Sequence, residues 1–269
     1  MYRDIWKKFY HTICSFRLFG SNGSMLHSLT GFRVGNMILT DDLIYDLNGI
    51  KEVRICFYEQ DGITQSNCIS LSYDAFFKLM APRDEFDHVG FTVFPADFKE
   101  FKNSGSLKLC RKCAPEIGSE VALFSYQSDH RNLSLKKALI TSNFKTERNL
   151  CYIQFDSTLK TSSGGGPLID IESGRVLGIV TNKEQKREKQ YQDLIRIIDN
   201  NLDILKSIEG KWKLHDVDPI QVLVVNQNQI KHLAKQLFVA SSTPTGFALE
   251  AGHIQEYLDN IFEFDNDYD

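Results

Sequence analysis

The first 181 residues of this chain are built from short apolar runs, each cut off after three to seven residues by turn-formers. That rhythm constrains the fold more than any other feature. Thr12–Leu18, Thr30–Val34, Met37–Thr40, Val53–Tyr58, Asn67–Ser72, Val89–Phe94, Leu107–Leu109, Val121–Tyr126, Leu135–Thr141, Leu150–Phe155 and Val176–Thr181 all read as strands. Gly20-Ser21-Asn22-Gly23-Ser24 and Gly35-Asn36 are turns between them. Many short strands punctuated by Gly and Pro make a sandwich or a barrel, because each strand buries only one face and must find several neighbours.

After Thr181 the period changes. Lys183 to Lys189 is a mixed-charge run that reads as the solvated start of a helix. Tyr191, Ile195, Ile198, Leu202, Leu205 and Ile208 then recur at spacings of three and four, one face of a helix. Val222–Val225 reads as a strand and Asn228–Phe238 as a second helix, with Ile230, Leu233, Ala234 and Leu237 on one side. Thr245–Leu249 reads as a final strand and His253–Phe262 as a C-terminal helix, with a frayed acidic tail from Glu263 to Asp269. The first dozen residues read as a short helix.

Composition narrows the function. A net charge of −4 over 269 residues, with 25% charged residues, points away from nucleic acid. No apolar run reaches the roughly 20 residues that cross a bilayer, and the N-terminus lacks the apolar core of a secretory signal. Six cysteines are too few for a disulfide scaffold and read as reduced thiols, which implies a cytoplasmic protein. Cys110-Arg111-Lys112-Cys113 has the spacing of half a zinc site but has no second pair, so it reads as thiols on a barrel strand and its loop. No metal and no cofactor is expected.

Thr161-Ser162-Ser163-Gly164-Gly165-Gly166-Pro167-Leu168 has the form of a protease nucleophile loop, with glycine where the serine belongs. Gln154 to Ile169 matches that pattern without a gap. Thr30–Val34 with Met37–Thr40, Phe86–Phe91, Gly118–Tyr126 and Gly174–Ile179 match four further segments in the same order. On these segments the chain resembles the trypsin-like serine proteases, above all the HtrA-type bacterial domains. The resemblance covers roughly 10–182 plus the closing strand and helix near 245–262. It implies a mostly β chain of two six-stranded antiparallel barrels with a helical insertion and a C-terminal helix. The first barrel and N-terminal helix would occupy 1–100. The second barrel would occupy 101–269, with the insertion at about 183–243. That insertion either packs over the cleft, presents a partner surface, or adds packing to the second barrel.

Carried over residue by residue, the family's histidine falls on Leu43, its serine on Gly164 and its aspartate on Asp87. Ser162 replaces the glycine two places before the nucleophile. Peptide hydrolysis needs an attacking hydroxyl or thiol, a proton acceptor and an orienting carboxylate, and two of these are missing. Ser163 is the fallback nucleophile, set against a turn residue whose hydroxyl bonds locally. His88 neighbours Asp87 but on a strand points the other way. His27 and His130 fall in loops, and a Ser–Lys dyad with Lys160 has no supporting feature. The resemblance implies a peptide-binding cleft at Ser162, Gly165, Gly166, Ile179, Val180 and Thr181. The expected function is a catalytically inactive homologue that binds a protein or extended peptide, as a regulatory or scaffold subunit of a hetero-complex. The alternatives are an endopeptidase that uses Ser163 or a partner's base, and a purely structural subunit.

Overall fold

Alternate residues of the first strand go to two different cores, and this division organises the molecule. In β1 (Ile13–Phe19), Cys14, Phe16 and Leu18 bury among one set of side chains, while Ile13 buries in another with Phe124 and Tyr126. Ser15, also fully buried, bonds its hydroxyl to that of Tyr58 at 2.8 Å, so the polar residue on the second face is satisfied. The computed structural model describes residues 1–81, 90–111, 115–181, 185–211, 218–240 and 245–266. Asp87, His88, Cys113, Lys183, Glu184 and the last three residues of the acidic tail lie outside them.

β1 is central in an antiparallel sheet with β2 (Met25–Val34), β3 (Met37–Thr40), β4 (Glu52–Tyr58), β5 (Gln65–Ser72) and β6 (Thr92–Pro95). The order is β5-β4-β1-β2-β3-β6. Phe16 meets Phe76 and Phe94 edge-on at 6.0 and 6.3 Å inside it. Phe76 comes from α2 (Tyr73–Leu79), which is capped by the Ser72 hydroxyl, whereas α1 (Tyr2–Phe9) buries Ile5 and Phe9 in the other core.

The second sheet closes on itself. β7 (Glu120–Gln127), β8 (Asn132–Lys145), β9 (Cys151–Asp156), β10 (Pro167–Asp170), β11 (Val176–Thr181) and β12 (Thr245–Glu250) form a barrel in the order β10-β11-β12-β9-β8-β7. Val121, Leu123, Ile153, Phe155, Leu168 and Val180 fill it. α5 (Ala251–Asn266) follows β12 directly and buries Ile254 and Leu258 in the core shared by the two sheets. The chain is therefore mostly β, with two six-stranded antiparallel sheets. One is a closed barrel and the other is open among the described residues, where two barrels were expected.

Met1–Asn182 and Pro244–Asp269 make one compact unit, and Lys183–Thr243 makes a second. The second is a helical hairpin of α3 (Gln185–Ile208) and α4 (Pro219–Ala240). Tyr191 stacks on Phe238 with centroids 4.2 Å apart, and Lys231 pairs with Asp199 at 2.5 Å.

Five expectations need correction. Leu107–Leu109 is not a strand: only Leu109 pairs, in an isolated bridge to Val176. Val222–Val225 is helix, not strand: Asp218 accepts from the Ile220 N–H at 2.8 Å and Pro219 opens the helix, so α4 starts before the β-branched run. His27 lies on β2 opposite Leu18, not in a loop. The acidic tail is helical as far as Asn266. Finally, not all the thiols are reduced. Cys56 and Cys68 are cross-strand partners on β4 and β5, with Cα atoms 4.2 Å apart, and they form a disulfide. Cys14 and Cys151 are free thiols. No helix among the described residues is long and apolar enough to cross a membrane.

Peptide mapping without reductant should recover a Cys56–Cys68 linked pair, and reduction should cost roughly 2–3 kcal/mol in urea unfolding, as expected for a loop of this length. An unlinked pair would contradict the assignment.

Candidate functional site

The candidate site is where the open sheet meets the closed barrel, and it is built from the turn between β9 and β10. A 3-10 turn at Thr161–Ser163 turns the chain there. The Ser163 N–H donates to the Lys160 carbonyl at 2.8 Å, and the Gly166 N–H donates to the Ser163 carbonyl at 3.1 Å. Gly165 follows at φ +82°, in the left-handed region that favours glycine. A Cβ there would lie 2.2 Å from the Thr30 carbonyl oxygen and 2.6 Å from the Asp41 nitrogen. At Gly166 a Cβ would lie 2.3 Å from the Phe124 carbonyl oxygen. Packing alone therefore requires both glycines.

Thr30, on β2, closes this seam. Its N–H donates to the Gly164 carbonyl at 2.9 Å and its hydroxyl to the Ser162 carbonyl at 2.6 Å. The same hydroxyl accepts from the Tyr126 N–H of β7 at 2.9 Å, and the Thr40 hydroxyl donates to the Thr30 carbonyl at 2.8 Å. On the barrel side, the Gly165 N–H donates to the Val180 carbonyl, and the Val180 N–H to the Gly166 carbonyl, both at 2.8 Å.

Two of the three expected positions, Leu43 and Gly164, lie among the described residues. Gly164 is buried in the loop. Leu43 is half-buried in a 3-10 turn at Asp42–Asp46, where its N–H donates to the buried Asp41 carboxylate at 2.9 Å. The Asp41 backbone abuts Gly165, so the segment leading into the Leu43 turn packs on the loop that carries Gly164. Asp87 lies outside the described residues, but Gly90, the first described residue after it, donates its N–H to the Asp42 carboxylate at 3.2 Å. A Cβ on Gly90 would lie 2.9 Å from the Thr181 methyl group and 4.0 Å from the Tyr152 hydroxyl.

The remaining chemistry is limited. Ser162 is 2% exposed and its hydroxyl has no hydrogen-bond partner among the described residues. Ser163 is 0% exposed and its hydroxyl accepts from the Lys160 N–H at 3.3 Å. The Lys160 ammonium pairs with Asp129. His130 lies in the exposed turn beside Asp129. Ile179, Val180 and Thr181 are buried, and β11 is paired on both edges, by β10 and β12. Burial first, and then the Asp42 charge, pushes the Tyr152 phenol up from 10.0 to about 12. Among the described residues, no group of His, Cys, Asp and Glu could hold a metal ion. Away from this seam, a cavity of about 620 Å³ is lined by Ser106, Lys108, Arg111 and Arg175.

Thr30 and Asp42 were not singled out by the sequence reading. Both lie within or beside the segments that carry the resemblance, but their partners are 96 and 48 residues away.

No family model and no curated protein matches the chain. Solved structures match its fold. An inactive form of the Rv3671c protease aligns with a TM-score of 0.54 at 14% identity, covering 97% of this chain and 93% of that one. A serine endoprotease from Yersinia pestis aligns with a TM-score of 0.50 at 15% identity over 67% of this chain, which spans 57% of that structure's length. Deg5 aligns with a TM-score of 0.51 at 14% identity, covering 67% of this chain and 83% of that one. The chain has the trypsin-like fold.

Thr30→Val would leave the buried Tyr126 N–H and Ser162 carbonyl unpaired and should cost about 2–4 kcal/mol in urea unfolding, with Thr30→Ser near wild type. Gly165→Ala should cost on the order of 3–4 kcal/mol, because it adds both strain and overlap. Because the folded-state pKa of Tyr152 is raised, the stability its neutral phenol contributes is complete below pH 10 and is lost as the pH climbs towards 12. Urea midpoints measured across that window should fall less steeply for Tyr152→Phe than for wild type.

Proposed function

We propose that this chain is a trypsin-like protein that does not hydrolyse peptides and acts by binding a protein or an extended peptide, as a regulatory or scaffold subunit of a hetero-complex. One observation carries the reading. The hydroxyls of Ser162 and Ser163, which precede Gly164, are sealed inside the protein at 2% and 0% exposure, and on the resemblance Gly164 and Leu43 fall at the nucleophile and base positions. A nucleophile must reach a carbonyl carbon and hand its proton to a base. Ser163 bonds its own turn, and the Lys160 ammonium is committed to Asp129. These contacts weigh against an endopeptidase with a displaced nucleophile.

Peptide capture by strand addition needs unpaired backbone. Both edges of β11 are used within the barrel, whereas β5 is an edge of the open sheet, which makes it the better place for an added strand. The fold neighbours named as proteases share the scaffold. What this chain keeps of that scaffold is the seam, and what it lacks is the attacking group. The Cys56–Cys68 bond supports an oxidising compartment in place of the cytoplasm.

Fluorophosphonate labelling of the purified chain, with an active trypsin-like enzyme alongside, tests the reading. No adduct is expected on Ser162 or Ser163. An adduct on either one that disappears on substitution by alanine would make the chain a hydrolase. The chain purified from its native source should carry a stoichiometric second polypeptide, and recovery without one would contradict the subunit role.

A further inference from the structure

The helical hairpin has two apolar seams on each helix, and its own fold uses one of them. On α3 the packed seam is Tyr191, Ile195, Ile198, Leu202 and Leu205, with Ile198 and Leu202 buried. On α4 the packed seam is Val224, Gln227, Lys231, Ala234 and Phe238, all half-buried. The Tyr191–Phe238 stack and the Lys231–Asp199 ion pair show that these two seams face each other in an antiparallel pair.

The second seams have the same alternation of three and four. Leu194, Ile197, Asn201 and Ile204 form one on α3, and Leu223, Asn226, Ile230 and Leu233 form the other on α4. Their six apolar members are 44–63% exposed. Each residue immediately precedes a member of its helix's packed seam or sits one turn from such a residue, so both second seams are rotated from the packed ones in the same sense. In an antiparallel pair, equal rotation brings them to the same side. The hairpin therefore presents one continuous apolar face with the heptad spacing of a coiled-coil interface.

We propose that this face docks a second copy of the same chain, hairpin against hairpin, as a four-helix bundle. Three features favour a copy of itself over another occupant. The residues of the face are all uncharged, so two copies meet there without like-charge repulsion. The six residues leave roughly 600 Å² of apolar surface uncovered, at the top of what a lone soluble monomer exposes. With the surrounding polar residues, two such faces would bury on the order of 1,500 Å², the size of a standard stable interface. Asn201 and Asn226 interrupt the otherwise apolar seams, which is how coiled coils fix register and oligomeric state. The inference does not depend on the missing nucleophile.

Sedimentation equilibrium of the full chain from about 1 to about 100 µM tests it, a range that spans ordinary dimer affinities. The chain is expected to be a dimer. Ile197→Asp with Leu233→Asp should weaken the dimer about 100-fold or more, whereas Ile63→Asp, exposed on the β4–β5 turn, should leave it intact. If circular dichroism shows that the double variant loses helix, Asn201→Arg, on the exposed face, takes its place. A monomer throughout the range, a dimer indifferent to these face substitutions, or a different polypeptide occupying the face of a monomeric chain would each overturn the proposal.

Discussion

The hydroxyl of Thr30 is the contact on which the sheet junction depends. It donates to the Ser162 carbonyl and accepts from the Tyr126 N–H, linking β2 of the open sheet to the loop and to β7 of the closed barrel. All three groups are buried, so water cannot replace any of them, and leaving one unpaired carries the full desolvation cost. The Thr30 N–H and carbonyl continue the same line, to Gly164 and to the Thr40 hydroxyl. The loop is thereby held on the first sheet by Thr30 and on the barrel by the paired bonds of Val180. Tyr58 stacked on Tyr126 at 5.8 Å continues the junction with apolar contact.

That arrangement separates the structural role of the loop's glycines from any chemistry beside them. Gly165 and Gly166 are required by backbone atoms of Thr30, Asp41 and Phe124, which leave no room for a side chain. Their presence reports a seam between two sheets, whatever chemistry happens beside it. The serine position reports chemistry, and here it holds Gly164. Fold and activity are read from different residues of one eight-residue run, so the first can persist without the second.

The legible parts of the molecule are those whose cause is local. Gly35-Asn36 marks the β2–β3 turn and Gly35 has a φ of +57°, as such a turn requires. The alternation in β1 and β4 and the short apolar run of β11 mark strands, and the spacing of α3 marks a helix. The misread parts depend on distant partners or on competing local signals. Val222, Val224 and Val225 have strand propensity, but the cap at Asp218 and the seam facing α3 outweigh it. α2, at seven residues, is too short for its spacing to show a helical period. The Cys56–Cys68 pairing follows from the register of β4 on β5, which spacing in the chain does not reveal. Of the candidate site, the tight turn at Gly165 and Gly166 was visible as a glycine-rich run. The burial of Ser162 and Ser163 was not, because it arises from Thr30 more than 130 residues away in sequence.

The central claim is that the loop carrying Gly164 is a sealed structural seam and not a turn that opens to substrate. Hydrogen–deuterium exchange, read at single amides, measures this directly. The amides of Thr30, Tyr126, Gly165 and Val180 should exchange only through global unfolding, matching the slowest strands of the barrel core. Rapid local exchange at Thr30 and Gly165, while the barrel core stays protected, would show that the loop opens and would contradict the account.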